Sequence, residues 1–202
     1  MPRLFIAVNC NEETKNRLVS IRDLIKSQSV KGNFSRPENL HLTLAFLGET
    51  PDEQIPAICR IIKEAAYPAG SVQEPAQTAA FTLNFTRTGC FRHSNKELWW
   101  IGADDNDPCL AALMNIRRRL AEGLALSGIS FDSRAFHPHI TLGREIKYNA
   151  HPAGAAPIQI PQVKISFAVN RISLMKSQHI DKILVYTEIF AVDLIDKKQL
   201  SV

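Results

Sequence analysis

Two short stretches of this chain carry the same chemistry-bearing pattern. One is His41-Leu42-Thr43-Leu44 within HLTLAFLGE, and the other is His139-Ile140-Thr141-Leu142 within HPHITLGRE. Imidazole titrates near neutrality, so in a pair of histidines one can take up a proton while the other gives one away. A threonine hydroxyl two places on is a neutral donor suited to an oxygen that gains negative charge. A lone histidine on a strand is most often only a half-exposed side chain. The chain has six histidines and nine threonines, however, and two of them share this spacing ahead of an aliphatic residue. The pair carries weight that neither copy has alone.

For the two copies to act together, each must lie on a strand. Alternation then places His41 and Thr43 on one face, with Leu42, Leu44 and Phe46 turned into a core, and it treats His139 and Thr141 against Ile140 and Leu142 likewise. Polar pairs on sheet surfaces with apolar backs are what a cleft between two similar lobes requires. By the same alternation Arg144 falls with Ile140 and Leu142, away from His139, unless a bulge turns it.

The surrounding elements follow from periodicity and punctuation. Arg3 to Asn9 is rich in Leu, Phe, Ile and Val and reads as a buried strand. Asn11 caps a helix that starts with Glu12 and Glu13, carries Leu18, Ile21, Leu24 and Ile25 on one stripe, and runs to about Ser27. KGNFSRPEN then reads as a polar connection to the first motif. Thr50-Pro51-Asp52-Glu53 has the form of a capping box before a second helix with Ile55, Ile58, Cys59, Ile62 and Ala66 inward. Residues 70–77 read as a surface loop.

Thr78 to Phe85 and Leu98 to Ala103 read as strands of a long hairpin, with GCFRHSNKE as its loop. That loop sets Arg87, Arg92, His93 and Lys96 beside Phe91, a mixture that either holds a nucleic-acid strand or forms a solvated tip. Asp107 and Pro108 open a third helix with Leu110, Leu113, Leu120 and Leu124 inward, Arg117 to Arg119 mostly toward solvent, and Gly128 at its end. The order strand, helix, polar connection, motif strand thus occurs twice. After the second motif, HPAGAAPIQIP is a loop, and Val163 to Val169, Arg171 to Ser177 and Ile183 to Val192 read as three strands. The fold expected is α+β, two-lobed and duplicated: mostly antiparallel sheets with outer helices, and a central cleft carrying the two motif strands.

Composition narrows the class further. The chain has 202 residues, 45% hydrophobic and 22% charged, with a formal net charge of +4, and a pI near 8.9. This suits a single soluble domain spanning 1–202 and tolerates a polyanionic partner. No signal peptide and no apolar run long enough to span a membrane is evident, so a cytoplasmic monomer without a membrane partner is expected. Cys10, Cys59, Cys90 and Cys109 have neither zinc-site nor redox spacing and read as reduced thiols. His137 and His139 also have a metal-ligand spacing, but Pro138 interrupts the strand and no third ligand is near, so no metal is expected. His93, His151 and His179 read as solvated residues of loops and turns.

The sequence resembles the 2H phosphoesterases, most closely the bacterial RNA 2′,3′-cyclic phosphodiesterases of the LigT-like branch. The likeness runs from RLFIAVN through HLTLAFLGE and LWWIGAD to RAFHPHITLGRE. SLMKSQ is similar to the closing segment of that family, but HIDKILVY stands where a glycine-containing turn would be expected. The resemblance implies hydrolysis of a terminal 2′,3′-cyclic phosphate of RNA, or of cyclic nucleotides, to a 2′-phosphomonoester. It implies neither metal nor cofactor, with His41 as proton donor to the leaving oxygen and His139 as proton acceptor from water. Thr43, Thr141, Arg134 and Arg144 are the implied phosphate-binding residues. Alternatives left open are 2′-5′ RNA ligation, action on another cyclic-phosphate small molecule, metal-dependent hydrolysis at the His137–His139 pair, and an RNA-binding module without turnover.

Overall fold

The computed structural model of the protein describes residues 1–67, 78–93, 96–147 and 160–195. Among the described residues nine strands form one hydrogen-bonded sheet, eight of them in a single path. The first half of the chain supplies β1 (Arg3–Asn9), α1 (Glu12–Ser27), β2 (Lys31–Phe34), β3 (His41–Glu49) and α2 (Ile55–Ala66). The second supplies β4 (Phe81–His93), β5 (Lys96–Ala103), α3 (Leu110–Leu126), β6 (His139–Lys147), β7 (Ile165–Val169), β8 (Arg171–Ile180) and β9 (Ile183–Asp193). The strand order is β7-β4-β5-β6-β3-β1-β8-β9, with β2 added on β6. All named strand pairs are antiparallel. The expected α+β architecture is therefore present, as two groups of four strands that meet where β3 and β6 pair.

That meeting is narrow. Leu42 opposite Ile140 is the pair that joins β3 to β6, and both side chains are buried. The helices cross over behind it. α1, which follows β1, packs on β6 and β7, and α3, which precedes β6, packs on β3 and α2. Thr14, in the first turn of α1, donates to the Ser166 carbonyl on β7 at 3.1 Å, and the cap residue Asn11 accepts from the Thr14 amide at 2.8 Å. α2 covers β8 and β9 and meets α3 where Gly123 leaves room for Ile61: a β-carbon there would lie 2.8 Å from the Ile61 methyl. One apolar cluster of residues from both halves fills the space between sheet and helices, so removing a large member such as Leu42 is expected to cost about 2–5 kcal/mol.

Several local readings are corrected. The KGNFSRPEN connection contains a strand, β2, because Ser35 donates its amide to the Leu142 carbonyl and its hydroxyl to the Thr141 carbonyl, extending the edge of β6. Thr50 does not cap α2, because its hydroxyl donates to the Gly48 carbonyl at 3.1 Å and a 3₁₀ turn, Asp52–Gln54, precedes the helix at Ile55. The expected loop GCFRHSNKE is strand almost throughout, since Cys90, Phe91 and Arg92 pair with Trp99, Leu98 and Glu97. Residues 94–95, and with them the tip, lie outside the described residues, as do the loop readings on 70–77 and most of HPAGAAPIQIP, His151 included.

Arg117 is not solvent-facing. It is 8% exposed, and its guanidinium lies over Phe131 and Phe136 at 5.3 and 5.7 Å while donating to the Asp132 carbonyl at 3.2 Å. It ties α3 to the segment that leads into β6. The turn from β8 to β9 needs no glycine: Asp181 and Lys182 both take positive φ, 50° and 64°, the geometry of a two-residue hairpin turn whose twist matches its strands. All four cysteines are free. Among the described residues no helix is long and apolar enough to cross a membrane.

Candidate active site

The two motifs build matching sites. Leu42 and Ile140 face each other toward the core, so alternation turns His41, Thr43, His139 and Thr141 to the opposite face of the sheet, where all four are half-buried. Each imidazole is oriented in the same way. His41 Nδ1 lies 2.7 Å from the Asn39 carbonyl, and His139 Nδ1 lies 2.7 Å from the His137 carbonyl. A carbonyl only accepts, so Nδ1 carries the proton in both rings and Nε2 is the nitrogen left for chemistry. His41 Nε2 is 3.0 Å from Thr43 Oγ1.

Backbone supports fix these carbonyls. Asn39 donates its side-chain amide to the Leu184 carbonyl at 2.9 Å, tying the carbonyl that orients His41 to β9. In the other half, the Ala103 amide donates to the Pro138 carbonyl at 3.1 Å and holds the His137-Pro138-His139 run against β5.

Both motif strands then bulge at the residue after the threonine. Across from β3, β1 passes from Ile6 opposite Ala45 to Ala7 opposite Thr43, which leaves Leu44 unpaired. Across from β6, β5 passes from Trp99 opposite Gly143 to Trp100 opposite Thr141, which leaves Leu142 unpaired. An extra residue reverses the alternation beyond it. Phe46, expected in the core, is therefore exposed at 36%, with the Arg3 guanidinium over its ring at 5.0 Å. Arg144, which alternation alone sets opposite His139, is turned outward, and its charge acts on His41, His139 and Tyr186.

Burial is the largest influence on His41 and, with the nearby charges of Arg144 and His139, lowers its pKa to about 4 against the help of the Asn39 carbonyl. His41 retains some exposed edge, but its ring packs against both Phe5 at 4.8 Å and Tyr186 at 5.2 Å, which keeps water from the charged form. Burial likewise lowers His139, with Arg144 and His137 acting in the same direction. Burial raises the Tyr186 hydroxyl, while Arg144 and Arg3 pull it back. Burial thus favours the neutral form of both imidazoles.

Arg134 is engaged with Asp132. Its guanidinium forks onto the Asp132 carboxylate, with Nε at 2.9 and 3.1 Å from the two oxygens, and its side chain is 88% exposed. This pairing holds Asp132 down to about 2. His137 and His179 are exposed. Among the described residues no three His, Cys, Asp or Glu side chains gather as a metal site.

Sequence reasoning missed Phe5, Tyr186 and Trp100, each of which touches a motif histidine. Nothing local marks Phe5 or Tyr186, because β1 and β9 reach the site only through long-range pairing. Trp100 was legible only as a strand residue.

Fold and site together set two His-x-Thr strands side by side on one sheet face. Residues 12–181 match the family model of the 2′-5′ RNA ligase superfamily, and the chain belongs to that family. A protein of Escherichia coli K12 named RNA 2′,3′-cyclic phosphodiesterase is 32% identical over 178 residues, covering 87% of this chain and 86% of the relative. A Thermotoga maritima protein of the same name is 31% identical over 151 residues, covering 72% and 71%. Among solved structures, E. coli LigT complexed with 3′-AMP superposes with a TM-score of 0.71 at 25% identity, covering 96% of this chain and 99% of that one.

Proposed function

We propose that this chain is an RNA 2′,3′-cyclic phosphodiesterase that opens a terminal 2′,3′-cyclic phosphate to a 2′-phosphomonoester by metal-free acid–base catalysis, the whole chain serving as one domain of two lobes. The observation that carries the reading is the matched orientation of His41 and His139: two imidazoles on one sheet face, each with Nδ1 anchored at 2.7 Å and Nε2 left for proton transfer. Relatives of the same name and fold support the substrate class.

In this reaction His139 Nε2 takes a proton from water as its oxygen attacks phosphorus. The P–O3′ bond breaks, and His41 Nε2 gives a proton to the departing O3′. Thr43 and Thr141 donate to the non-bridging oxygens, and Arg144 supplies the cation. Arg134, engaged with Asp132, is left out of the phosphate set. The burial that favours neutral His41 gives the substrate a second task. An anionic phosphate beside the imidazole favours its charged form, so arrival of the substrate itself arms the acid.

The test is product analysis. RNA ending in a 2′,3′-cyclic phosphate, incubated with the protein and excess chelator, is expected to yield the 2′-monoester, and His41→Ala and His139→Ala are each expected to abolish turnover. A 3′-monoester product, or activity that depends on added metal, overturns the proposal.

A further inference from the structure

The carbonyls that orient the two histidines are held in different ways. On the His139 side the hold is backbone: Pro138 restricts the chain beside the His137 carbonyl, and the Ala103 amide donates to the Pro138 carbonyl at 3.1 Å. On the His41 side the acceptor is the carbonyl of Asn39, the last residue of a 3₁₀ turn, Pro37–Asn39. A turn this short leaves its final carbonyls outside its own ladder. Arg36, Pro37 and Glu38 just before Asn39 are exposed.

The bond from Asn39 to a distant element is made by its side chain. The Asn39 amide donates to the Arg36 carbonyl at 3.0 Å, within the turn itself, whereas Nδ2 donates to the Leu184 carbonyl on β9 at 2.9 Å. β1 and β8 lie between β3 and β9 in the sheet, so Asn39 reaches a partner that no ladder bond of β3 brings near. β9 is a firm reference, because it pairs with β8 from Ile183 to Asp193. Two residues from Leu184 on the same strand, Tyr186 stands edge-on to His41 at 5.2 Å. One strand thus touches the imidazole directly and holds, through Asn39, the carbonyl that fixes its tilt. A charged imidazole can donate from either nitrogen. The bond from Nδ1 to the Asn39 carbonyl at 2.7 Å is what leaves Nε2 to face a substrate.

Resting on the function proposed above, in which His41 is the proton donor, we infer that Asn39 is a positioning residue: its side-chain amide, latched to β9, holds the His41 ring at the angle from which Nε2 protonates the departing O3′. Asn39 touches neither substrate nor phosphorus and acts through His41 alone. Its loss therefore weakens proton donation and leaves phosphate binding and water activation in place. On the His139 side no side chain has the same task, since the carbonyl there is held by the backbone run through Pro138.

The experiment compares the full chain with its Asn39→Ala, Asn39→Leu and His41→Ala variants on an RNA 2′,3′-cyclic phosphate and on its 3′-thio analogue, whose thiolate leaves without a proton. Leucine keeps the bulk of the side chain and removes the donor. Both Asn39 variants are expected to lose about 10- to 100-fold in kcat on the oxygen substrate at nearly constant KM, and less than about threefold on the sulfur substrate. Nitrogen NMR of the His41 ring is expected to show the Nδ1-protonated tautomer in the parent and a mixture of tautomers in Asn39→Ala. Equal loss on the two substrates would make Asn39 a structural residue and overturns the inference. So does an Asn39→Leu enzyme as fast as the parent on oxygen, or one whose KM alone is raised. A parent that does not open the oxygen substrate, or a His41→Ala enzyme that gains nothing on sulfur, overturns the function or the donor assignment proposed above, and the inference with it.

Discussion

Phe46 and Arg144 occupy the same station on the two motif strands, each five residues past its histidine and each turned outward by a bulge at the preceding leucine. One half of the site thus receives an aromatic ring where the other receives a guanidinium. The backbone repeats and the side chains do not, and the charge of Arg144 acts on both histidines.

Removing that cation should act in two ways. Arg144→Ala is expected to lower kcat/KM about 10²-fold or more, with Arg144→Lys recovering only part, because an ammonium cannot reproduce two-pronged contact with phosphate. Arg144 also lowers the pKa of both histidines. Its loss should therefore move the optimum of kcat/KM to higher pH. An Arg144→Ala enzyme with the parent's rate and profile would remove Arg144 from the site.

The pH dependence of the parent follows from the burial of the two imidazoles. His41 and His139 both titrate below the usual imidazole value, His41 near 4. The proposed mechanism needs one charged and one neutral, so kcat/KM, which reports free enzyme, should form a bell centred below pH 6.5 and fall through neutrality. The kcat profile should lie higher, because bound phosphate favours charged His41. NMR titration of His41 with and without inorganic phosphate checks this directly.

The same shift appears in stability. The unfolded chain charges His41 below about 6.5 and the folded one only near 4, so stability is full above pH 6.5 and is lost as pH falls toward 4. The loss assigned to this residue is at most about 3 kcal/mol. Urea midpoints of the parent and His41→Gln are expected to converge across that window, and parallel curves would contradict the shift.

Which histidine does what can be decided with a sulfur leaving atom. A thiolate leaves without protonation, so a 3′-thio cyclic substrate makes the acid dispensable and spares the base nothing. His41→Ala is expected to recover much of its lost rate on that substrate, while His139→Ala stays slow on both. Recovery by His139→Ala would exchange the roles.

The threonines should contribute less than the histidines. Loss of one neutral donor to developing charge costs up to about 2–4 kcal/mol, and its partner from the other motif remains. Thr43→Ala and Thr141→Ala each as active as the parent would reduce both residues to strand formers.

The basic hairpin shows how far a linear reading reaches. Phe91 and Arg92 are neighbours in it, but strand pairing sorts them onto two faces. Arg92 pairs with Glu97 at 2.9 Å, on the face away from Phe91, while Phe91 reaches His139. A loop would have left them together; a ladder cannot, because adjacent residues on a strand point apart.

The sequence by itself determined the motif pairs, their strands, and the apolar backs that turn His41, Thr43, His139 and Thr141 to one side, because period-two alternation is local and needs only the chain's own order. Three helices and their inward stripes were legible for the same reason, as was the second strand–helix–motif unit. What only the tertiary structure decided depends on partners distant in sequence. A bulge is a mismatch between two strands, so neither the outward turn of Arg144 nor the exposure of Phe46 is written in β6 or β3 alone. Arg117 is buried because Phe131 and Phe136 fold back over it, and His41 is kept neutral because Phe5 from β1 and Tyr186 from β9 close around a ring that its own strand leaves half open.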